Sequence, residues 1–301
     1  MSTKIYNIVD ENFINSFHPK HIEFMKTLYY EKYLDFCSVK GNKPLSKNDF
    51  FTNMRRRKIK LLQICCPYCG NTEIIPLDQT LDILDQFNYC FNCGKSTASQ
   101  NAQTQLSSII RMRFMNSIGV KQAIEQYSDR DISLMSYEVY HHELILLSSI
   151  LEVILRNFFE SLVYIKYHSE KNDYISNVIH KSTGNDFMHF DKANNHYKRA
   201  LSINLKELVS SDCRDNLIDM INIRNTLIHN NGMADKKFKE TNTFGRISNC
   251  LQGELIFLTP KEIDLYYLSI AEICDGLIKL FDETYLKEKH KLIASRYFNN
   301  V

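Results

Sequence analysis

The sequence predicts a mainly α-helical protein carrying a small cysteine-bound module near its N-terminus. Three observations point there. Only 9 Gly and 5 Pro occur in 301 residues, about half the usual share of backbone breakers. Several long segments repeat large apolar residues every three or four positions, the helical period. Two matched C-x2-C pairs stand in residues 63–100, where that period is absent. With 44% apolar and 24% charged residues, the composition is that of a chain able to bury a core.

From the N-terminus, residues 20–37 place Phe24, Leu28, Tyr29, Tyr33 and Phe36 at helical spacing, and Gly41 closes that helix. Ser46 caps a second helix, with Asp49 three residues on in a capping-box arrangement. This helix ends in Arg55, Arg56 and Arg57, and Lys60 to Ile64 reads as a strand. Residues 40–60 hold eight Lys and Arg against one acid, so this stretch carries +7 in a chain whose net charge is +2. Helix, turn, cationic helix and strand suggest a helix-turn-helix or winged-helix unit over 1–62. Nucleic-acid contact through Arg55, Arg56 and Arg57 is one reading. A basic helix end that complements the macrodipole is the other.

Residues 63–100 contain Cys66-Pro-Tyr-Cys69-Gly70 and, 20 residues later, Cys90-Phe-Asn-Cys93-Gly94. That spacing is expected of a four-thiolate zinc ribbon. Glycine after each second cysteine permits the positive φ that the tight turn needs. TEIIPL and FNYCF supply flanking strands. Four thiolates close the tetrahedron, so the expected Zn2+ is structural. Cys65 stands one residue too far from Cys69 and is not expected to ligate. The remaining Cys213, Cys250 and Cys274 read as small buried apolar groups.

The polar run KSTASQNAQTQ marks a boundary at 95–104, and 105–301 has a helical texture throughout. Helices are expected near 138–167, 195–209, 212–230 and 261–296. The first carries a stripe of Leu144, Leu147, Leu151, Ile154, Leu155, Phe158, Phe159 and Leu162. The third contains INIRNTLIHNNG, and Asn230, Asn231 and Gly232 terminate it. His180, His189 and His196 fall in a stretch that reads as a solvated connector. His141-His142-Glu143 is a poor metal site, because adjacent helical residues point about 100° apart.

Arg224, Asn225 and His229 form an R-N-x3-H arrangement within the third helix. Asn225 and His229 share a face, while Arg224 and His229 diverge by about 140°. Arginine offers a permanent forked cation to phosphate, and histidine exchanges protons near neutral pH. Together they suit metal-free cleavage of RNA, in which a 2′-hydroxyl attacks the neighbouring phosphorus. No Gly-rich phosphate loop, GxSxG elbow or HExxH is present, which removes NTPase, α/β-hydrolase and zincin readings.

IRNTLIHNNG resembles the R-x4–6-H signature of the HEPN superfamily, and SSILEVILRNFF (148–159) resembles the first long helix of its domains, with Glu152 and Arg156 among apolar residues. The resemblance covers roughly residues 135–298. It implies an up-down helical bundle that forms a homodimer, with the two R-x4-H helices making one composite endoribonuclease site that leaves 2′,3′-cyclic phosphate. Arg224 would bind the scissile phosphate, His229 would transfer a proton, and Asn225 would orient the histidine or contact RNA. The branch it resembles most contains bacterial toxin and abortive-infection ribonucleases, which implies antiviral defence and a DNA or phage-component trigger. The alternative is a non-catalytic adaptor that binds nucleic acid or protein and dimerises through the bundle. With no export signal and no apolar span free of charges, the chain is expected to be cytoplasmic and off the membrane.

Overall fold

The computed structural model describes residues 7–9, 19–57, 61–66, 68, 72–76, 93–169, 172–241 and 250–297. Described residues are mainly helical, and no helix among them is long and apolar enough to cross a membrane. The chain divides into two compact units. One comprises residues 1–97 with 168–170 and 284–301; the other comprises 98–167 and 171–283.

In the first unit, helix α1 (Pro19–Lys40) and helix α2 (Lys47–Arg57) follow the expected order. Gly41, at φ +66°, ends α1. Ser46 accepts from the Asp49 amide at 3.2 Å and donates to its carboxylate at 2.6 Å, which fixes the start of α2. Tyr33 stacks on Phe50 with ring centroids 4.3 Å apart, and Tyr30 donates to the Leu45 carbonyl at 2.8 Å. These aromatics clamp the two helices around their turn.

Strands β1 (Asn7–Val9), β2 (Leu61–Cys65) and β3 (Thr72–Pro76) form an antiparallel sheet in that order. β2 pairs with β3 from Leu61 opposite Pro76 to Cys65 opposite Thr72. Cys66 follows directly on β2, and β3 begins at Thr72. β1 has no counterpart in the sequence reading. The segment FNYCF lies wholly outside the described residues.

The second unit is all helix apart from an isolated bridge between Met233 and Leu255. Helix α3 (Ala98–Gln126) packs on α4 (Asp129–Lys166). Then come α5 (Asp173–Thr183), a 3-10 turn at Asp186–Met188, α6 (Phe190–Leu201), a 3-10 turn at Leu205–Glu207, α7 (Ser211–His229) and α8 (Lys236–Thr241). The long α9 (Pro260–Tyr297) follows. All eight residues of the α4 stripe are buried, Leu144, Leu147, Leu151, Leu155, Phe158 and Leu162 completely. Each such side chain contributes roughly 1.5–3 kcal/mol on leaving water. Ile263, Tyr266, Ile270, Ile273, Leu277 and Phe281 give α9 the facing stripe, and Phe158 meets Phe281 edge-on at 5.9 Å.

One expectation is corrected here, and one boundary gains detail: the run at 95–104 is helix from Ala98 onward. Its buried contacts are the small side chains Ala98, Ser99 and Ala102, which leave no large-residue period to read. The connector assigned to His180, His189 and His196 is also structured. His180 lies in α5, His189 precedes α6, and His196 is within α6. Phe190, Ala193, Tyr197 and Leu201 bury one face of α6, and Tyr197 donates to the Leu155 carbonyl at 2.7 Å. The helix expected at 195–209 therefore runs earlier, ending where Ser202 turns left-handed at φ +63°.

Candidate functional site

Helix α7 sets out the R-N-x3-H residues. Ser210 caps its start by accepting from the Cys213 amide at 3.2 Å, and Glu272 holds the Ser210 amide at 2.6 Å. Cys213, Leu217, Met220, Ile221, Ile223 and Leu227 bury the inward face. Burial pushes the Cys213 thiol up to about 12, so it is an inert core group.

Beyond His229 the chain turns sharply. The Asn230 amide returns to the Thr226 carbonyl at 2.9 Å, and Asn231 and Gly232 take φ +48° and +75°. A Cβ built on Gly232 would stand 2.5 Å from the Tyr137 hydroxyl and 3.4 Å from His141. Gly232 also accepts from the Ile256 amide at 2.9 Å, and His141 Nε2 bonds the Ile256 carbonyl at the same distance. The end of α7 is thus pinned to α4 and to the segment before α9. Burial holds His141 below the ordinary histidine range. Its neighbour Glu143 is also occupied, accepting from Asn116 at 2.6 Å and pairing with Arg113 at 3.6 Å.

None of Arg224, Asn225 and His229 belongs to that buried face. Arg224 and Asn225 are half-buried and His229 is exposed. Arg224 Nη1 donates to Asn225 Oδ1 at 3.1 Å. Asn225 therefore meets the arginine, and the His229 imidazole makes no hydrogen bond among the described residues. Arg224 and Asn225 border a small groove whose other walls include Ser149 and Glu152 of α4, Met188 and Ile221. Glu152 pairs with Arg156 at 2.9 Å, and Arg156 also donates to the Gly184 carbonyl at 3.1 Å.

Sequence reasoning missed the charged cluster beside this groove. His196 Nε2 lies 3.0 Å and Lys192 Nζ 3.3 Å from the two oxygens of Asp186. The His196 bond, with Lys192 adding to it, lowers the Asp186 carboxyl below its usual range. His189, at the entry to α6, is half-buried; burial first, then the positive charges of Lys192 and Arg224, lower its pKa against the pull of Asp186. The readable signal was the i, i+3, i+7, i+11 pattern of Phe190, Ala193, Tyr197 and Leu201, which makes the segment a helix.

No family model matches the chain, and no curated protein or solved structure matches it.

In the first unit, Cys66 Sγ and Cys93 Sγ lie 3.7 Å apart. Two thiolates bound at ~2.3 Å to one tetrahedral ion would be separated by about 3.8 Å. Cys66 is buried, and Gly94, directly after Cys93, has φ +67°. The donor pair fits a thiolate metal centre. Cys69 and Cys90 lie outside the described residues, as does Gly70. No group of three or more His, Cys, Asp or Glu placed to hold a metal occurs among the described residues. Arg55, Arg56 and Arg57 form the end of α2.

Proposed function

We propose that this chain is a metal-independent endoribonuclease of the HEPN type, acting as a homodimer in toxin or anti-phage defence. What supports the reading is a helix with a fixed inner face and C-terminal turn that carries a half-buried Arg224 at a groove and an exposed His229 at its end. Arg224, held by Asn225 at 3.1 Å, binds the scissile phosphate with its guanidinium. His229, exposed at the helix end, transfers a proton. The 2′-oxygen attacks phosphorus, the bond to the 5′-oxygen breaks, and a 2′,3′-cyclic phosphate remains. Exposed Ile228, Met233, Leu255 and Phe257 surround the end of α7 with apolar surface, which supports self-association there.

In the same reading Cys66, Cys69, Cys90 and Cys93 hold a structural Zn2+. The ion supplies folding energy to the ribbon and takes no part in cleavage. Arg55, Arg56 and Arg57 add salt-dependent affinity for nucleic acid, whether substrate RNA or a DNA or phage-component trigger.

Cleavage of a short RNA by purified protein in EDTA tests the proposal. Arg224→Ala is expected to slow the reaction on the order of 10²–10³-fold. Arg224→Lys restores little, because an ammonium cannot reproduce the forked contact. RNA that stays intact with the parent protein, or equal rates in parent and Arg224→Ala, would instead favour the adaptor.

A further inference from the structure

Helix α3 covers α4 with one side and leaves the other in solvent. Ala102, Ile109 and Ala123 are buried, and Asn116 and Arg113 reach Glu143 of α4 at 2.6 and 3.6 Å. At about 100° per residue, these five positions share one half of the helix, and Ile118 lies opposite their centre. Phe114 and Met115 stand one turn before it, at the i−4 and i−3 positions that share its face. Phe114, Met115 and Ile118 are 65%, 66% and 38% exposed. A lone apolar residue in water is ordinary; three adjoining ones form a patch of the kind that partners cover.

Two charges frame the patch. Arg111 precedes Ile118 by seven residues and Glu125 follows it by seven, and seven residues are close to two helical turns. Both therefore lie along the line of Ile118, each about 10 Å from it. Both side chains are exposed, and neither makes a hydrogen bond or ion pair among the described residues. That symmetry selects the occupant. A second α3 laid antiparallel across Ile118 sets each Arg111 against the partner's Glu125, twice over. A parallel copy would set like charges together. In the antiparallel register Lys121 meets the partner's Met115, on which its methylene stem can lie, so no like charges oppose.

We infer that α3 is a self-association face, through which two copies of this chain pair antiparallel about Ile118. The inference does not depend on the ribonuclease reading. The face lies on a different element from those that carry Ile228, Met233, Leu255 and Phe257, and it joins pairs made at the end of α7 into tetramers. One helix face is smaller than the roughly 800 Å² per partner of a standard interface, so the contact is weak and forms above micromolar concentration.

The test is sedimentation equilibrium of the full-length protein from about 5 to about 500 μM, a range that brackets weak dissociation constants. The parent mass should rise from twice toward four times the 35.4 kDa chain mass, and Phe257→Lys should rise from one toward two. Ile118→Lys should remove the rise. Arg111→Glu and Glu125→Arg should each weaken the association on the order of tenfold, since the pair occurs twice and each reversal replaces attraction by repulsion. The two reversals combined should restore it, because the exchanged charges pair again. All three positions are exposed, so circular dichroism should show unchanged helix content in every variant. A parent rise from one to two, removed by Ile118→Lys, would support the α3 contact while removing the pairing at α7. A parent mass that stays constant across the range, or a rise that persists in Ile118→Lys, would overturn the inference. So would a double reversal as weak as either single one.

Discussion

At the scale of single residues, Gly232 decides where His229 stands. Its φ of +75° is one that side-chain-bearing residues adopt at a cost, and a Cβ there would collide with the Tyr137 hydroxyl at 2.5 Å. Gly232→Ala is therefore expected to destabilise the second unit by about 1–3 kcal/mol, seen as a lower thermal midpoint. Cleavage should fall as well, because the same turn fixes the end of α7. An unchanged midpoint would show that the turn relaxes freely. The position of Arg224, Asn225 and His229 on one helix that ends before Asn230 was legible from spacing. The Arg224–Asn225 bond was not, because neighbouring helical positions point in different directions and only the length of arginine lets it fold back.

At the scale of elements, legibility follows side-chain size. The α4 stripe was plain in the sequence because its inward residues are Leu, Ile and Phe, and every one of them is buried. The α7 boundaries were plain because Asn230, Asn231 and Gly232 end it. The start of α3 left no such mark, since Ala98, Ser99 and Ala102 are buried without a hydrophobic signature. Helix α6 was masked by buried Asn194, whose amide oxygen accepts from the Leu205 amide at 2.7 Å and so replaces an apolar contact with a polar one. Of the expected strands, Lys60 to Ile64 and TEIIPL correspond to β2 and β3, and FNYCF lies outside the described residues. The ribbon yields a metal prediction. The full chain should carry one zinc, and Cys93→Ser should lose it together with the ribbon's folding, since a three-thiolate site no longer closes the tetrahedron. Elemental analysis checks this. Unchanged zinc content in Cys93→Ser would contradict the assignment.

At the scale of the whole molecule, a helical unit carrying Arg224 and His229 shares one chain with a unit carrying a cysteine knuckle and a cationic helix. The scarcity of Gly and Pro made the helical class legible, whereas association between chains leaves only exposed apolar residues as a trace. Ile228, Met233, Leu255 and Phe257, all more than 40% exposed, lie close in sequence to the ends of α7 and of the Met233–Leu255 bridge. They would be costly to leave in water if the chain were always alone. Light scattering of the full chain at micromolar concentration should give twice the 35.4 kDa chain mass, and Phe257→Lys should shift it toward the monomer. A strictly monomeric parent would contradict a composite site.

The central claim is that α7 cuts RNA with its histidine. Its most direct test is incubation of total RNA in EDTA with the parent protein and with His229→Ala, both freed of contaminating nuclease, followed by analysis of the fragment ends. The parent should yield fragments ending in 2′,3′-cyclic phosphate, and His229→Ala should leave the RNA whole while keeping its fold and its zinc. Equal cleavage by the two proteins would contradict it and leave α7 an association surface.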